Sequence, residues 1–395
     1  MYCKNKDKGL KTDYFTNIYK EHLRVWNGFK EYDNPSKNTF EDFINSFNEL
    51  IGDIGSNGFD SDKSVIPVSS DGSILNGSHR IASCIHHSVE PSTVEGVDGK
   101  DGQWDCGYEM FRRLGLDSPI MDSMAIEYSK IKTNTRLVTL YPTANPSKDN
   151  DVINIMNKHG KVVYGKSIDF NLNGSFHLSR QLYLGEEWAG DWDSNFTGFR
   201  QKTQLCFKPH VLTRVFLVEF NSQEDAINCK KEIRQIFRIA NHSVHINDYH
   251  HETIRLSRML FNDNSVHYMN NLGLTKLPRF DSLLSEYSKL IPDGCEDDYC
   301  VTASGVLSAY GLKDCNDLDY LHFGDKVVTD NQLISSHNEY GVGRYSLGKD
   351  EIIYNPKYHF WYNGIKFASL DIVKELKEKR GEPKDVIDVS LINSL

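Results

Sequence analysis

Asp317-Leu318-Asp319 places two carboxylates two residues apart. On a β-strand, residues i and i+2 share a face, so both acids would point one way while Leu318 and Tyr320 turn to the core. Carboxylates aimed together at solvent repel unless a cation lies between them, and Mg²⁺, held by carboxylates and substrate phosphates, meets that need. Ser304-Gly305, just upstream, opens a predicted helix whose free backbone N–H groups would hold a triphosphate. A second group, His242, His245, His250 and His251, falls within ten residues. Its spacing lacks the H-x-x-x-H with neighbouring Glu of zinc hydrolases. Asp248 instead reads as the cap of an apolar-periodic helix, with Glu252 in its first turn and His245 in the loop ahead. A third group surrounds Asp71-Gly72, a tight-turn pair joining two short apolar strands. A helix begins near Ser78, with Ile81, Ala82 and Ile85 on one face. Asn76, Gly77 and Ser78 therefore sit at a helix N-terminus that favours anions, where His79 and Arg80 add donors for a phosphate.

Each group carries a family resemblance. Asp71, Gly72, Gly77, His79 and Arg80 resemble the DG-x-x-L-x-G-x-H-R signature of the ParB/sulfiredoxin-like superfamily, which holds nucleotide phosphates; Asn76 stands where many members have Asp. The run from Arg234 to Phe261 resembles the active-site segment of nucleoside diphosphate kinases, with Arg234, His245, Asp248 and Phe261 in register and Glu252 one place off. That resemblance implies a phosphate-accepting His245 and a phosphate contact from Arg234 on a ferredoxin-like, kinase-type domain. Tyr141-Pro142-Thr143 occupies the place of the family's Lys-Pro-Asp, and His242 that of an Asn. The stretch from Thr302 to Asp388 looks like the nucleotidyltransferase superfamily, with Ala303 in place of the first Gly and Lys384, Asp385 and Asp388 in its helical tail. By that likeness Asp317 and Asp319 are catalytic and hold Mg²⁺, Ser304 and Gly305 bind the nucleotide, and Asp350 or Glu351 is the strand-like candidate for a third carboxylate.

The elements that must position these residues change texture along the chain. Residues 1–135 are helix-rich; 136–275 alternate strands (RLVTLYP, KVVYGKSIDF, TRVFLVEF) with helices; 276–395 read helix, strand, helix. The expected architecture is an α/β and α+β multidomain chain, with ParB/sulfiredoxin-like, nucleoside diphosphate kinase-like and nucleotidyltransferase-like domains in series. At 395 residues, two to three domains is the prior from length.

Composition bounds the function. Hydrophobic residues make up 39% and Tyr and Phe number 20 each, enough for real cores and too much for a disordered chain. Lys and Arg total 45 against 55 Asp and Glu, a formal charge of -10, so nucleic acid is not an expected partner. No stretch approaches the roughly 18–20 apolar residues of a membrane span, and the eight cysteines contain no C-x-x-C pair, so reduced thiols in the cytoplasm are expected. Trp188, Trp192, Phe196 and Phe199, with acids between them, form either a packed aromatic loop or a surface that stacks on a sugar or base. Together these readings predict phosphoryl or nucleotidyl transfer from ATP or another nucleoside triphosphate, with Mg²⁺. The organisation resembles that of surface-polysaccharide enzymes, and that resemblance implies a small sugar, polyol or glycan acceptor. The rival expectation is a nucleotide sensor or ParB-like clamp without turnover.

Overall fold

The computed structural model describes residues 1–31, 34–70, 72–95 and 106–395, and the chain divides into two units, Met1–Ser118 and Pro119–Leu395. The first unit contains α1 (Tyr2–Lys8), α2 (Tyr14–Asn27), α3 (Phe40–Asn57), β1 (Ile66–Val68), α4 (Ser78–His87), β2 (Thr93–Glu95) and α5 (Tyr108–Arg113). A reciprocal cap starts α3: the Asp42 N–H donates to Thr39 Oγ1, and the Asp42 carboxylate accepts from the Thr39 N–H. Phe43, Phe47, Ile51 and Ile54 then recur at helical spacing and are buried. The expected hairpin at Asp71-Gly72 is corrected here. It survives as a single antiparallel bridge, Val68 to Ile74, while β1 pairs in parallel with β2 beyond the helix. Asp71 itself lies outside the described residues.

The second unit begins with α6 (Ser118–Ile131) and then builds a four-stranded sheet. In chain order it runs β3 (Thr135–Leu140), α7 (Asp149–His159), β4 (Gly160–Ile168), α8 (Leu172–Leu182), α9 (Thr197–Cys206), β5 (Thr213–Phe220), α10 (Gln223–Phe237) and β6 (Val244–Ile246). The strand order is β4-β5-β3-β6 and every neighbouring pair is antiparallel. Val138, Leu140, Phe216 and Val218 alternate along the central strands and are buried with Val152 and Met156 of α7 and Ala226, Cys229 and Ile233 of α10. Each of the larger of these side chains (Val, Leu, Ile, Met and Phe) contributes about 1.5–3 kcal/mol by leaving water, which fixes both helices to one face of the sheet. Gly160 opens β4 because a Cβ there would lie 2.2 Å from the Glu219 carbonyl oxygen.

Three helices follow, α11 (His250–Leu260), α12 (Asp263–Asn271) and α13 (Pro278–Leu290). A five-stranded mixed sheet comes next: β7 (Tyr299–Thr302), α14 (Ser304–Ala309), β8 (Leu318–His322), β9 (Ile334–Ser336), α15 (Lys349–Tyr354), β10 (His359–Tyr362) and β11 (Ile365–Ala368), in the order β10-β11-β7-β8-β9. Asn363 and Gly364, both at positive φ, form the two-residue turn between β10 and β11. Every residue of β7, β8, β10 and β11 is buried, so these strands have no solvent face. Helices α16 (Leu370–Arg380) and α17 (Pro383–Asn393) close the chain. Among the described residues no helix is long and apolar enough to cross a membrane.

Candidate functional site

His245 is the middle residue of β6, and its neighbours Val244 and Ile246 are buried in the core beneath α7 and α10. Strand alternation therefore turns the imidazole to the opposite face of the sheet. There it lines a cavity of about 560 Å³ together with Tyr183, Trp188, Lys202, Lys230, Arg234, His242 and Asp248. Lys230 and Arg234 stand four apart on α10, so both project from one side of that helix. Lys202 comes from α9, in the segment between β4 and β5. It is 6% exposed; its Nζ donates to the Asn241 carbonyl at 2.7 Å and lies 5.4 and 5.3 Å from the ring centres of Tyr141 and Tyr183. Tyr183 meets the His245 ring edge-on at 4.9 Å, and its hydroxyl is 2.8 Å from that of Tyr141.

The three cations have little anionic compensation. Lys202 and Lys230 donate to backbone carbonyls, Lys230 to Ile246 O at 2.8 Å. The Lys230 ion partner is Asp248, 3.8 Å away and largely exposed. The Nε of Arg234 is buried with no hydrogen-bond partner among the described residues. Burial is the leading reason that the pKa values of Lys202 and Lys230 fall below the ordinary lysine value. Burial and then the charges of Lys230, Lys202, Arg234 and Arg255 hold the His245 imidazole down to about 3. It is neutral at physiological pH, as a nitrogen nucleophile must be.

The sequence singled out Arg234 and His245, and the structure brings them together. Lys202, Lys230 and Tyr183 were missed. The i, i+4 pair Lys230 and Arg234, on the helix that leads into the His245 strand, was a readable signal; nothing local marked Lys202. The four histidines do not converge. His242 faces Cys206 Sγ at 3.7 Å from its place in the cavity wall, His250 reaches the Ser129 carbonyl at 2.7 Å, and His251 stacks on Tyr249. His245 is in a strand rather than a loop, and Asp248 is not the helix cap. The Glu252 carboxylate accepts from the backbone N–H groups of Asp248 and Tyr249, each at 3.0 Å, and thereby fixes the start of α11.

The other candidates are placed differently. Asp317 is exposed ahead of β8, whereas Asp319 is 6% exposed within it. Ser335 Oγ donates to Asp319 at 3.1 Å and His337 Nε2 lies 3.0 Å from the same oxygen. The expectation that both acids face solvent together is thus corrected, because helices and neighbouring strands bury all of β8. Asp350 and Glu351 lie in the first turn of α15, not in a strand; Asp350 pairs with Lys349 and Glu351 accepts from Asn355. Ser304 does open α14, a helix of six residues. A Cβ on Gly305 would fall 2.8 Å from Val301 and 3.0 Å from Leu318, so glycine lets the helix close onto β7 and β8. Ala303, at the position where the nucleotidyltransferase pattern has Gly, holds φ +51 and ψ -131, a conformation glycine favours.

In the first unit, Asn76, Gly77 and Ser78 precede and open α4 as expected, with Gly77 at φ +94 and its N–H donating to Asn76 Oδ1. His79 and Arg80 are engaged elsewhere. The His79 ring packs 4.8 Å from Phe47 and lies 2.8 Å from the Tyr19 hydroxyl, and burial pulls its pKa down to about 4. Arg80 folds back over Gly77 and donates to the Val65 carbonyl at 3.0 Å. Trp188 is half exposed and donates to Glu186 at 3.1 Å, whereas Phe196 and Phe199 are buried together. No protein-family model, curated protein or solved structure matches the chain.

Proposed function

We propose that the cavity around His245 handles phosphoanions, and that the chain is a nucleotide-dependent phosphotransferase with His245 as the first acceptor. The observation that carries this reading is the convergence of Lys202, Lys230 and Arg234 on a neutral imidazole, with Asp248 the one carboxylate, among the described residues, in ion-pair distance of any of them. The order of the first sheet supports it. Two split βαβ crossovers, with the fourth strand beside the first, are the ferredoxin-like arrangement, and His245 lies on the last strand. In the proposed step an imidazole nitrogen forms a bond to the γ-phosphorus of ATP or another nucleoside triphosphate. The bond from phosphorus to the β,γ-bridging oxygen breaks and the nucleoside diphosphate leaves. Lys202, Lys230 and Arg234 neutralise oxygens that carry charge throughout. The hydroxyl oxygen of a small sugar, polyol or glycan would then bond to that phosphorus as the bond to the imidazole nitrogen breaks and the hydroxyl proton leaves to solvent, with the half-exposed Trp188 as a stacking face. A nucleotidyl step at Ser304, Gly305, Asp317 and Asp319 has less support, since Asp319 is already held by Ser335 and His337.

Incubation with γ-labelled ATP tests the reading. An acid-labile, base-stable label should form, disappear in His245→Ala, and persist in His250→Ala and His251→Ala. A label that stays in His245→Ala sinks the assignment. A second reading, a phosphoanion sensor without turnover, is favoured by one observation: among the described residues no hydrogen bond orients the His245 ring, which meets Tyr183 edge-on. It predicts nucleotide binding with no label at all.

A further inference from the structure

We infer that the cavity neutralises its phosphoanion with its own side chains and takes it free of divalent metal. This rests on the phosphate-handling reading and narrows it to phosphate groups that enter without a bound divalent metal. A terminal phosphate carries roughly -1.5 to -2 charge near neutral pH, and Lys202, Lys230 and Arg234 all bring positive charge to the same space. A magnesium ion bridging phosphate oxygens needs carboxylate or other oxygen ligands beside them. Two carboxylates line the cavity, Glu186 and Asp248. Glu186 accepts the Trp188 indole N–H at 3.1 Å, and Asp248 is the ion partner of Lys230 at 3.8 Å. A divalent cation placed there would add two charges to a partly dehydrated space whose existing cations rest on backbone carbonyls, and repulsion rises as solvent is excluded. A phosphoanion does the reverse: it supplies the counter-charge and acceptors that Lys202 and Lys230 otherwise draw from backbone carbonyls.

Asp248 separates the two arrangements. If the side-chain cations alone hold the anion, the Asp248 carboxylate repels it and competes for Lys230. If a metal mediates binding, Asp248 is the exposed acid best placed to hold that metal. The test is titration calorimetry of the full chain with inorganic pyrophosphate, first in EDTA and then with excess Mg²⁺. Pyrophosphate should bind in EDTA, with no gain in affinity from Mg²⁺. Lys230→Gln and Arg234→Gln should each weaken it by about tenfold or more, the loss expected for a charged hydrogen bond. Asp248→Asn, at an exposed position that leaves the fold intact, should tighten it by about two- to fivefold. Binding that requires Mg²⁺, or that weakens in Asp248→Asn, overturns the metal-free inference and leaves the phosphate-handling reading standing. Absence of binding in both conditions overturns the two together. Metal-free binding without a phosphohistidine label upholds this inference and removes only the catalytic step.

Discussion

Asp319 shows how a side chain chosen for chemistry can be held by structure. The Asp-x-Asp spacing was legible, and so was the strand, but alternation predicts a shared solvent face only when the strand has one. β8 lies between β7 and β9 in the sheet and is buried along its whole length. Its carboxylate takes a hydrogen bond from Ser335 and lies beside His337. Asp319→Asn should therefore lower unfolding free energy by about 1–3 kcal/mol, the range for disturbing a charged hydrogen bond in a buried site. Asp317→Asn, at an exposed position, should stay within about 0.5 kcal/mol. Urea denaturation of the two variants measures the contrast, and equal effects would contradict these placements. His245 marks the opposite outcome. Its residue type and its distance from the following helix were readable, whereas Lys202 reaches it through a segment with no local signal, so the positive character of the site emerges only when the sheet is assembled.

At the scale of elements, the strands were legible where short apolar, β-branched runs stand between turn signals, and the helices where apolar residues recur at helical spacing. RLVTLYP holds all of β3 but Thr135, and TRVFLVEF is β5; the two strands pair directly. Order within the sheet was not legible, because antiparallel pairing across inserted helices is set by long-range contacts rather than by any window of sequence. The helical tail illustrates the same limit. Lys384, Asp385 and Asp388 matched a family pattern, yet two of them serve the packing of α16 against α17. Asp385 makes a double contact with Arg380, and Asp388 pairs with Lys313 and, at 2.5 Å, with Lys377. Lys377, Asp385 and Asp388 are all essentially buried. Removing Asp388 takes the nearer of two carboxylates from Lys377, which keeps Asp385 at 3.6 Å, so Asp388→Ala should cost about 1.5–3 kcal/mol. Lys384→Ala, whose side chain is exposed, should cost almost nothing. Chemical denaturation compares them; a small loss for Asp388→Ala would mean that Asp385 alone compensates the Lys377 ammonium.

For the molecule as a whole, the formal charge of -10 lowers non-specific affinity for polyanions, and the cationic cavity is a local exception within it. The same counting by sign predicts how stability follows pH. His159, buried at the end of α7, has Nδ1 3.0 Å from Asp225 and Nε2 2.9 Å from Glu232, both on α10. Both ring nitrogens can donate to their carboxylates at once only when the imidazole is charged. Burial pulls the His159 pKa down, but the hydrogen bonds to Asp225 and Glu232 and the Glu232 charge outweigh it and leave the value raised, against a small opposing effect of Lys158. The folded state then binds this proton more tightly than the unfolded chain. The stabilisation is complete below the unfolded value of about 6.5 and is lost as pH rises through the folded value. Asp225 and Glu232 run the other way: their hydrogen bonds, to His159 and to Lys158 respectively before all else, depress them, so their share disappears as pH falls through the acid range. Urea midpoints should decline from pH 6 toward pH 8 in the wild-type chain, and the decline should be shallower in His159→Gln, which keeps a polar group but cannot take up the proton. Parallel slopes in the two proteins would show that the imidazole does not bridge α7 and α10 as a cation.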